Sequence, residues 1–132
     1  MPLPPAKPAI SPDARDLARA FDDEFQVVVA DTAELRNAAF ALRHEVYCRE
    51  LGFEPIRAGG LERDIYDDRA RHYLLAHQPS GAWAGCLRVV FADDDVQEIG
   101  LPFEMARVPL LDEARLAATP RASIGEISRW CR

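Results

Sequence analysis

The chain has 132 residues, of which 48% are hydrophobic and 29% charged, and its formal net charge is -6 at pH 7. That length fits one domain and leaves no room for two. The acidic balance argues against nucleic acid as a partner, and no apolar run reaches the roughly 18 residues of a membrane-spanning helix.

A tail, a helix and a strand open the chain. Residues 1–12 contain five prolines, which lack the amide donor, so we expect an extended tail before a domain that covers 13–132. Ser11 or Asp13 caps the helix that follows. The β-branched segment 25–30 then predicts a strand.

A second helix is predicted near residues 33–51, because its apolar residues recur close to every 3.6 positions. Asp31 or Thr32 caps it, and Gly52 ends it. The charged segment 54–70 contains proline and two glycines, so it is predicted to be a long loop. Loops of this length in a small domain are usually functional or disordered, and the carboxylates of this one favour a function.

A β-hairpin comes next. The segments 73–76 and 83–91 are predicted strands, and 78–81 is the turn between them. The acidic run 93–95 is interpreted as a solvated turn, because no further metal ligands are spaced around it.

The last third of the chain predicts one strand. Prolines interrupt residues 101–122 and leave only a short helix near 111–118. The alternating segment 124–131 predicts a strand. This order of elements predicts an α/β or α+β domain, with helices on a mostly antiparallel sheet.

The three cysteines, Cys48, Cys86 and Cys131, are far apart and form no Cys-x-x-Cys pair. We interpret them as reduced thiols that act as small buried residues in a cytoplasmic protein. The histidines share no metal-ligand spacing with them, so no metal site is predicted. The N-terminus lacks the basic and apolar segments of a signal peptide.

Three carboxylates, Glu62, Asp64 and Asp67, fall within six residues of the predicted loop. Carboxylates this close repel each other and need cations nearby. The candidate cations come from three separate parts of the chain: Arg43, Arg88 and Arg129. A mixed-charge cluster assembled from distant segments is more often a binding site than a device of the fold.

The order of these residues resembles that of a known group of enzymes. The pattern consists of Arg43, Val46-Tyr47, Phe53, Glu62-x-Asp64-x-x-Asp67, Gly85-Cys86-Leu87-Arg88 and Glu126-Ile127-Ser128-Arg129. It resembles the acyl-homoserine-lactone (autoinducer) synthases. The segments 30–32, 42–54 and 72–75 are more similar to the acyltransferases of exosortase/PEP-CTERM systems, which are related to N-acyl amino acid synthases.

The resemblance implies a GNAT-like acyltransferase fold, of which this chain carries only the N-terminal part, since nothing here resembles a glycine-rich phosphate loop. It implies transfer of a fatty acyl group from acyl carrier protein or acyl-CoA to a small amine such as an amino acid. No bound cofactor is needed. Phe53 stands where the synthases usually have tryptophan, which alters the pocket for the amine.

Aminolysis of a thioester requires a group that takes a proton from the ammonium. We assign this catalytic role to Glu126, with Glu62 as the second candidate, and expect Asp64 and Asp67 to attract the cationic amine. By resemblance, the remaining substrate-binding residues are Arg43, Tyr47, Phe53, Arg88 and Arg129.

Plainer explanations stay open for each residue. Arg43 and Glu62 could form a structural ion pair, Tyr47 and Phe53 could be core residues, and Glu126 could be an ordinary strand residue. Two alternative functions stay open as well, an autoinducer synthase that uses S-adenosylmethionine and a non-catalytic interaction module. An unpaired edge at the terminal strand would favour a homodimer.

Overall fold

The computed structural model of the chain describes residues 12–92, 100–107, 109 and 112–132. Within them the strands are β1 (Phe25–Val29), β2 (Ala70–His77), β3 (Ala82–Phe91) and β4 (Gly125–Cys131). The α-helices are α1 (Pro12–Glu24), α2 (Ala33–Arg43), α3 (Pro102–Met105) and α4 (Glu113–Ala118). The other helical elements are a π-helix (His44–Glu50) and two 3-10 turns (Asp67–Arg69 and Arg121–Ser123). The predicted tail, apart from Pro12, and the acidic run 93–95 lie outside the described residues.

The four strands form one antiparallel sheet in the order β1-β2-β3-β4, which confirms the predicted α+β class. β2 and β3 are the predicted hairpin, and Gly81 at its turn has a φ of 70°, which favours glycine. β2 starts three residues before the predicted segment 73–76, because Ala70, Arg71 and His72 also pair with β3. Two of those three residues are polar or charged, so the apolar pattern could not include them.

α2 packs on one face of the sheet and the core lies between them. Buried residues of this core come from α2, the π-helix and all of the last three strands: Ala39, Val46, Leu74, Cys86 and Cys131. On the opposite face Val27, Val29 and Ile127 are exposed. Phe21 of α1 stacks on Phe25 with ring centroids 5.2 Å apart. A polar side chain on the sheet face that packs against α2 therefore lies in the interior of the domain.

The helix predicted over 33–51 consists of two different helices. The α-helical winding stops at Arg43, and the π-helix follows, with the N–H of Leu51 bonded to the carbonyl of Val46 at 2.9 Å. Over so few turns the apolar spacing of the two helix types is the same, so the sequence could not separate them. Gly52 ends the π-helix with a φ of 63°, as predicted. Short π-helical turns often occur at functional sites.

The remaining helices are short. Pro12 belongs to α1 and not to the predicted tail, since the first helical turn tolerates a residue without an N–H. The short helix predicted at 111–118 is α4, and the Asp112 carboxylate caps it by accepting the N–H of Arg115 at 2.8 Å. α3 begins at Pro102 and was not predicted. None of the described helices is long and apolar enough to cross a membrane.

Candidate active site

Arg43, at the end of α2, is only 1% exposed. A buried guanidinium is costly unless its donors are paired. Its Nη1 and Nη2 donate to the two carboxylate oxygens of Asp67 at 2.7 and 3.1 Å. Its Nε donates to Oε2 of Glu62 at 2.5 Å. The ion pair between Arg43 and Glu62 is therefore present, as one part of a larger network.

The loop after the π-helix is fixed to the helices by backbone bonds. The N–H of Glu62 donates to the carbonyl of Phe40 on α2 at 3.0 Å. The N–H of Arg57 donates to Nε2 of the buried His44 at 3.0 Å. These two bonds explain why the Glu62 carboxylate reaches the interior although it belongs to a loop.

Asp64 and Asp67 form a tight turn in which each carboxylate accepts a backbone N–H. Asp67 Oδ2 accepts from Asp64 at 2.7 Å, and Asp64 Oδ1 accepts from Tyr66 at 3.0 Å. Arg88 enters from β3, and its Nη1 donates to Asp64 Oδ1 at 2.6 Å and to Asp67 Oδ1 at 2.9 Å. The Nε of Arg88 donates to the hydroxyl of Ser128 on β4 at 2.9 Å. The sheet and the loop are thus joined through one buried arginine.

Arg129 lies at a bulge in β4. Cys86 pairs with Cys131 and Arg88 pairs with Ser128, so β4 has one residue more than β3 between these two pairs. Arg129 has a φ of 51°, in the left-handed region that non-glycine residues rarely adopt. Bulges of this kind redirect a side chain, and strained backbone that persists is a pointer to function.

The redirected side chain of Arg129 reaches three carboxylates. Its Nη2 lies 3.3 Å from Glu54 Oε1, 3.4 Å from Glu62 Oε1 and 3.4 Å from Asp64 Oδ2. The Arg129 side chain is 25% exposed, whereas the Glu62 side chain is fully buried. Arg129 therefore lies between the buried network and solvent.

We call these residues the arginine–carboxylate cluster: Arg43, Glu54, Glu62, Asp64, Asp67, Arg88 and Arg129. Three guanidinium groups face four carboxylates, which gives a formal charge of -1. Two buried polar atoms in the cluster have no hydrogen-bond partner among the described residues, Glu62 Oε1 and Arg129 Nε. A buried polar atom without a partner is costly and calls for an explanation.

The protonation of the cluster follows from its pairing. Burial alone would raise the pKa of Asp67, but its bonds to Arg43, Asp64 and Arg88 lower it to about 2. Burial works against the charge of Arg43 and Arg88, yet their bonds to the carboxylates outweigh it and raise the pKa of both. Burial lowers the pKa of His72, whose Nε2 lies 3.2 Å from the carbonyl of Asp67.

Residues 42–131 match the family described as acetyltransferase (GNAT) domain, which is more than half of the chain. The chain belongs to the GNAT acetyltransferase family. No curated protein and no solved structure matched it. The antiparallel sheet with its helices is consistent with part of a GNAT fold. The matched residues include every member of the arginine–carboxylate cluster and leave out α1 and β1.

The two aromatic candidates of the GNAT domain occupy different environments. The Tyr47 hydroxyl donates to the carbonyl of Trp130 at 2.8 Å, and the Arg129 guanidinium lies 5.4 Å from the Tyr47 ring centre. Burial raises the pKa of Tyr47, so its phenol is neutral. The Phe53 side chain is 72% exposed and is not packed into the cluster. Its contact with substrate stays a prediction.

Glu126 lies on β4 opposite Val90, on the sheet face that also carries Arg88. Its Oε2 accepts the N–H of Phe103 in α3 at 3.0 Å, and the residue is half-buried. The carboxylate thus shares a sheet face with Arg88, and its hydrogen bond goes to α3 and not to a residue of the cluster. Its role in proton transfer stays a prediction.

Three residues that contact the candidate site were not among the sequence candidates: Glu54, His72 and Ser128. Each contacts a residue that was a candidate, since Glu54 pairs with Arg129 and Ser128 accepts from Arg88. In the sequence, the feature that could have pointed to these three residues was their position inside the segments that resemble the known family.

A cavity of about 380 Å³ opens beside Asp67. It is lined by α2 and the loop: Ala33, Arg36, Asn37, Phe40, Arg63, Asp67, Asp68 and Ala70. The cavity therefore borders the cluster at Asp67, and neither Glu62 nor Arg129 lines it. Among the described residues, no three or more His, Cys, Asp or Glu side chains are arranged to hold a metal ion.

Proposed function

We propose that this GNAT domain is an N-acyltransferase, and that the arginine–carboxylate cluster receives the ammonium group of the acceptor amine. GNAT domains typically take acyl-CoA as the acyl donor, and an acyl carrier protein presents the same kind of thioester. The donor supplies an activated acyl group, so the cluster has to attract and orient the amine, and a separate group has to take its proton.

The observation that carries this proposal is the Oε1 of Glu62, which has an ion pair with Arg129 at 3.4 Å but no hydrogen-bond partner among the described residues. It is a buried carboxylate oxygen in a cluster whose formal charge is -1, so one added cation would balance the charge and fill the missing hydrogen bond. An ammonium group has three donors and matches this vacancy. The pKa of Tyr47 is raised and that of His72 is lowered, so neither side chain adds a charge to the cluster.

The second unpaired atom favours an amino acid as the acceptor. Arg129 Nε has no hydrogen-bond acceptor in the part of the chain that the structure describes, and the same side chain approaches Glu62 Oε1. An amino acid carries an ammonium and a carboxylate a few bonds apart. Since Arg129 is partly exposed, its guanidinium could turn to the carboxylate of the acceptor while the ammonium takes its place beside Glu62.

In the reaction the amine nitrogen forms a bond to the carbonyl carbon and the carbon–sulfur bond breaks. One proton of the ammonium passes to Glu126 before the nitrogen attacks, and a second nitrogen proton passes to the leaving thiolate as the amide forms. Glu62 already accepts from Arg43, so its free oxygen is better suited to hold the ammonium than to remove its proton. Holding the amine near the thioester accounts for much of the rate increase.

The finer assignment follows from the sequence resemblance. The acyl group would be fatty, the donor an acyl carrier protein or acyl-CoA, and the protein would belong with the exosortase/PEP-CTERM acyltransferases. Among the described residues β4 pairs only with β3, and an edge strand of this kind would suit a homodimer.

The test is an acyl-transfer assay with acyl-CoA and acyl carrier protein thioesters of several chain lengths and a panel of amino acids. Products are identified by mass spectrometry. We expect an N-acyl amino acid, and a rise of about tenfold or more in the KM for the amino acid in Glu62→Gln, which corresponds to about 1.4 kcal/mol. Glu45→Gln is the matched control, because Glu45 is exposed.

Other outcomes would overturn the proposal. Heat on titration of S-adenosylmethionine, with no N-acyl amino acid, would favour an autoinducer synthase. Folded protein that acylates no amine, in which Glu62→Gln behaves like Glu45→Gln, would favour a non-catalytic interaction module.

A further inference from the structure

Cys86 on β3 and Cys131 on β4 face each other in the sheet, and their Sγ atoms are 3.1 Å apart. Both thiols are free and buried. We propose that the two cysteines are an oxidative modification site, at which a peroxide converts them to a disulfide that links β3 to β4. The argument for this site does not rest on the proposed acyl transfer.

The backbone is already arranged for such a link. The two residues are register partners on neighbouring antiparallel strands. The strands approach closely here, since a Cβ added at Gly85 would lie 2.8 Å from the carbonyl oxygen of Cys131. A disulfide needs a sulfur–sulfur distance of about 2.05 Å, so the two sulfurs have to move together by about 1 Å.

Both cysteine residues border a cavity of about 300 Å³, with Gly85, Trp130 and Arg132 beside them. The thiols themselves are buried on the α2 side of the sheet, where the Sγ of Cys86 lies 3.9 Å from the carbonyl of Ala39, so a small oxidant has to pass between the ends of β3 and β4 to reach them. Either thiol can be the donor in the contact between the two sulfurs. With Cys86 as the donor, the hydrogen bond lowers the pKa of Cys131 and raises that of Cys86, and Cys131 is then the thiol that reacts first.

The chemistry is balanced by the peroxide alone. The Cys131 thiolate attacks one peroxide oxygen, the oxygen–oxygen bond breaks, and with one proton the products are a sulfenic acid and water. The Cys86 sulfur then attacks the sulfenic sulfur, and its proton leaves with the hydroxyl group as a second water molecule. The two sulfurs lose two electrons, which the peroxide gains.

The link would act on the arginine–carboxylate cluster. Arg129 lies two residues before Cys131, at the bulge, and its carbonyl oxygen is 4.0 Å from the Sγ of Cys86. A disulfide would fix the end of β4 at the point where its backbone is strained. We expect the oxidised protein to unfold at a higher temperature than the reduced protein, because the disulfide lowers the conformational entropy of the unfolded chain.

The test uses the reduced, folded protein with one equivalent of hydrogen peroxide. We expect the loss of two thiols, a mass lower by about 2 Da, and a peptide that joins Cys86 to Cys131 in the non-reduced digest. Cys48→Ser is the matched control and should form the same link, since Cys48 is a third buried cysteine outside the pair.

Three outcomes would overturn this inference. They are a wild-type protein that keeps both thiols reduced while Cys48 is oxidised, a disulfide between two copies of the chain, and stable sulfinic acid at Cys131 without a link. None of these readings depends on acyl transfer. None needs a variant at Cys86 or Cys131, so a folding defect cannot conceal the result.

Discussion

Arg43 holds Asp67 through two parallel hydrogen bonds, and both side chains are about 1% exposed. This fork connects the end of α2 to the carboxylate loop, and Arg88 extends it to the sheet. The end of α2, the carboxylate loop and the sheet are therefore all joined at the carboxylate of Asp67. The pair holds the loop in which Glu62 lies, whose Oε1 has no hydrogen-bond partner among the described residues.

Asp67→Asn should destabilise the protein severely. It leaves two buried guanidinium groups with one anion fewer, a change that costs about 3–5 kcal/mol in the free energy of unfolding. Asp68→Asn is the matched control next to it, because the Asp68 side chain is 87% exposed, and it should stay within about 0.5 kcal/mol. Urea denaturation measures both. Equal midpoints for the two variants would show that the fork contributes nothing to stability.

As the pH is lowered, the free energy of unfolding should decrease in two separate pH ranges. The folded pKa of Asp67, about 2, is below its ordinary 3.8, so its contribution is complete above pH 3.8 and is lost as the pH falls toward 2. The loss is on the order of 2 kcal/mol. Burial lowers the pKa of His72 below 6.5, so a further loss begins as the pH falls below 6.5.

Unfolding free energies measured from pH 7 to pH 2 check both windows. His72→Gln should remove the decline that begins below pH 6.5, and Asp67→Asn should remove the one between about pH 4 and pH 2. Unchanged slopes in both variants would mean that other groups govern acid unfolding.

The bulge makes a prediction about backbone strain at Arg129. With a φ of 51°, this residue adopts a conformation that costs an L-residue roughly 1–2 kcal/mol but suits glycine. Arg129→Gly and Arg129→Ala both remove the guanidinium, and only the first relieves the strain. We expect the glycine variant to be more stable by about 1 kcal/mol in urea denaturation. An alanine variant that is equally or more stable would place Arg129 in an unstrained conformation.

The two catalytic candidates should separate in kinetics. Glu126→Gln should lower kcat by roughly 100-fold or more with little change in the KM for the amine, since it removes a proton acceptor. Glu62→Gln should mainly raise that KM. The comparison is made in the acyl-transfer assay at saturating thioester. The reverse pattern would exchange the two roles.

The sequence predicted the partners of the cluster because charge has to be compensated. Three carboxylates in six residues required cations, and Arg43 and Arg88 bind them in the interior. Alternating and helical spacing likewise predicted the hairpin and α2. These features depend on residue type and local order, which a sequence contains.

Other features depend on backbone details that spacing does not record. The π-helix keeps the same apolar face as an α-helix, and nothing in an arginine at position 129 predicts a positive φ. The contact of Cys86 with Cys131 requires the register of β3 and β4, including the bulge. Glu54 joins the cluster only because Arg129 is redirected toward it.

The most direct test of the ammonium site is a calorimetric titration of the protein with an accepted amino acid and with the same molecule lacking its amino group. We expect the amino acid to bind, the deaminated acid to bind at least about tenfold more weakly, and Glu62→Gln to abolish this difference. Equal affinity of the wild-type protein for both molecules would contradict the claim that the arginine–carboxylate cluster receives an ammonium group.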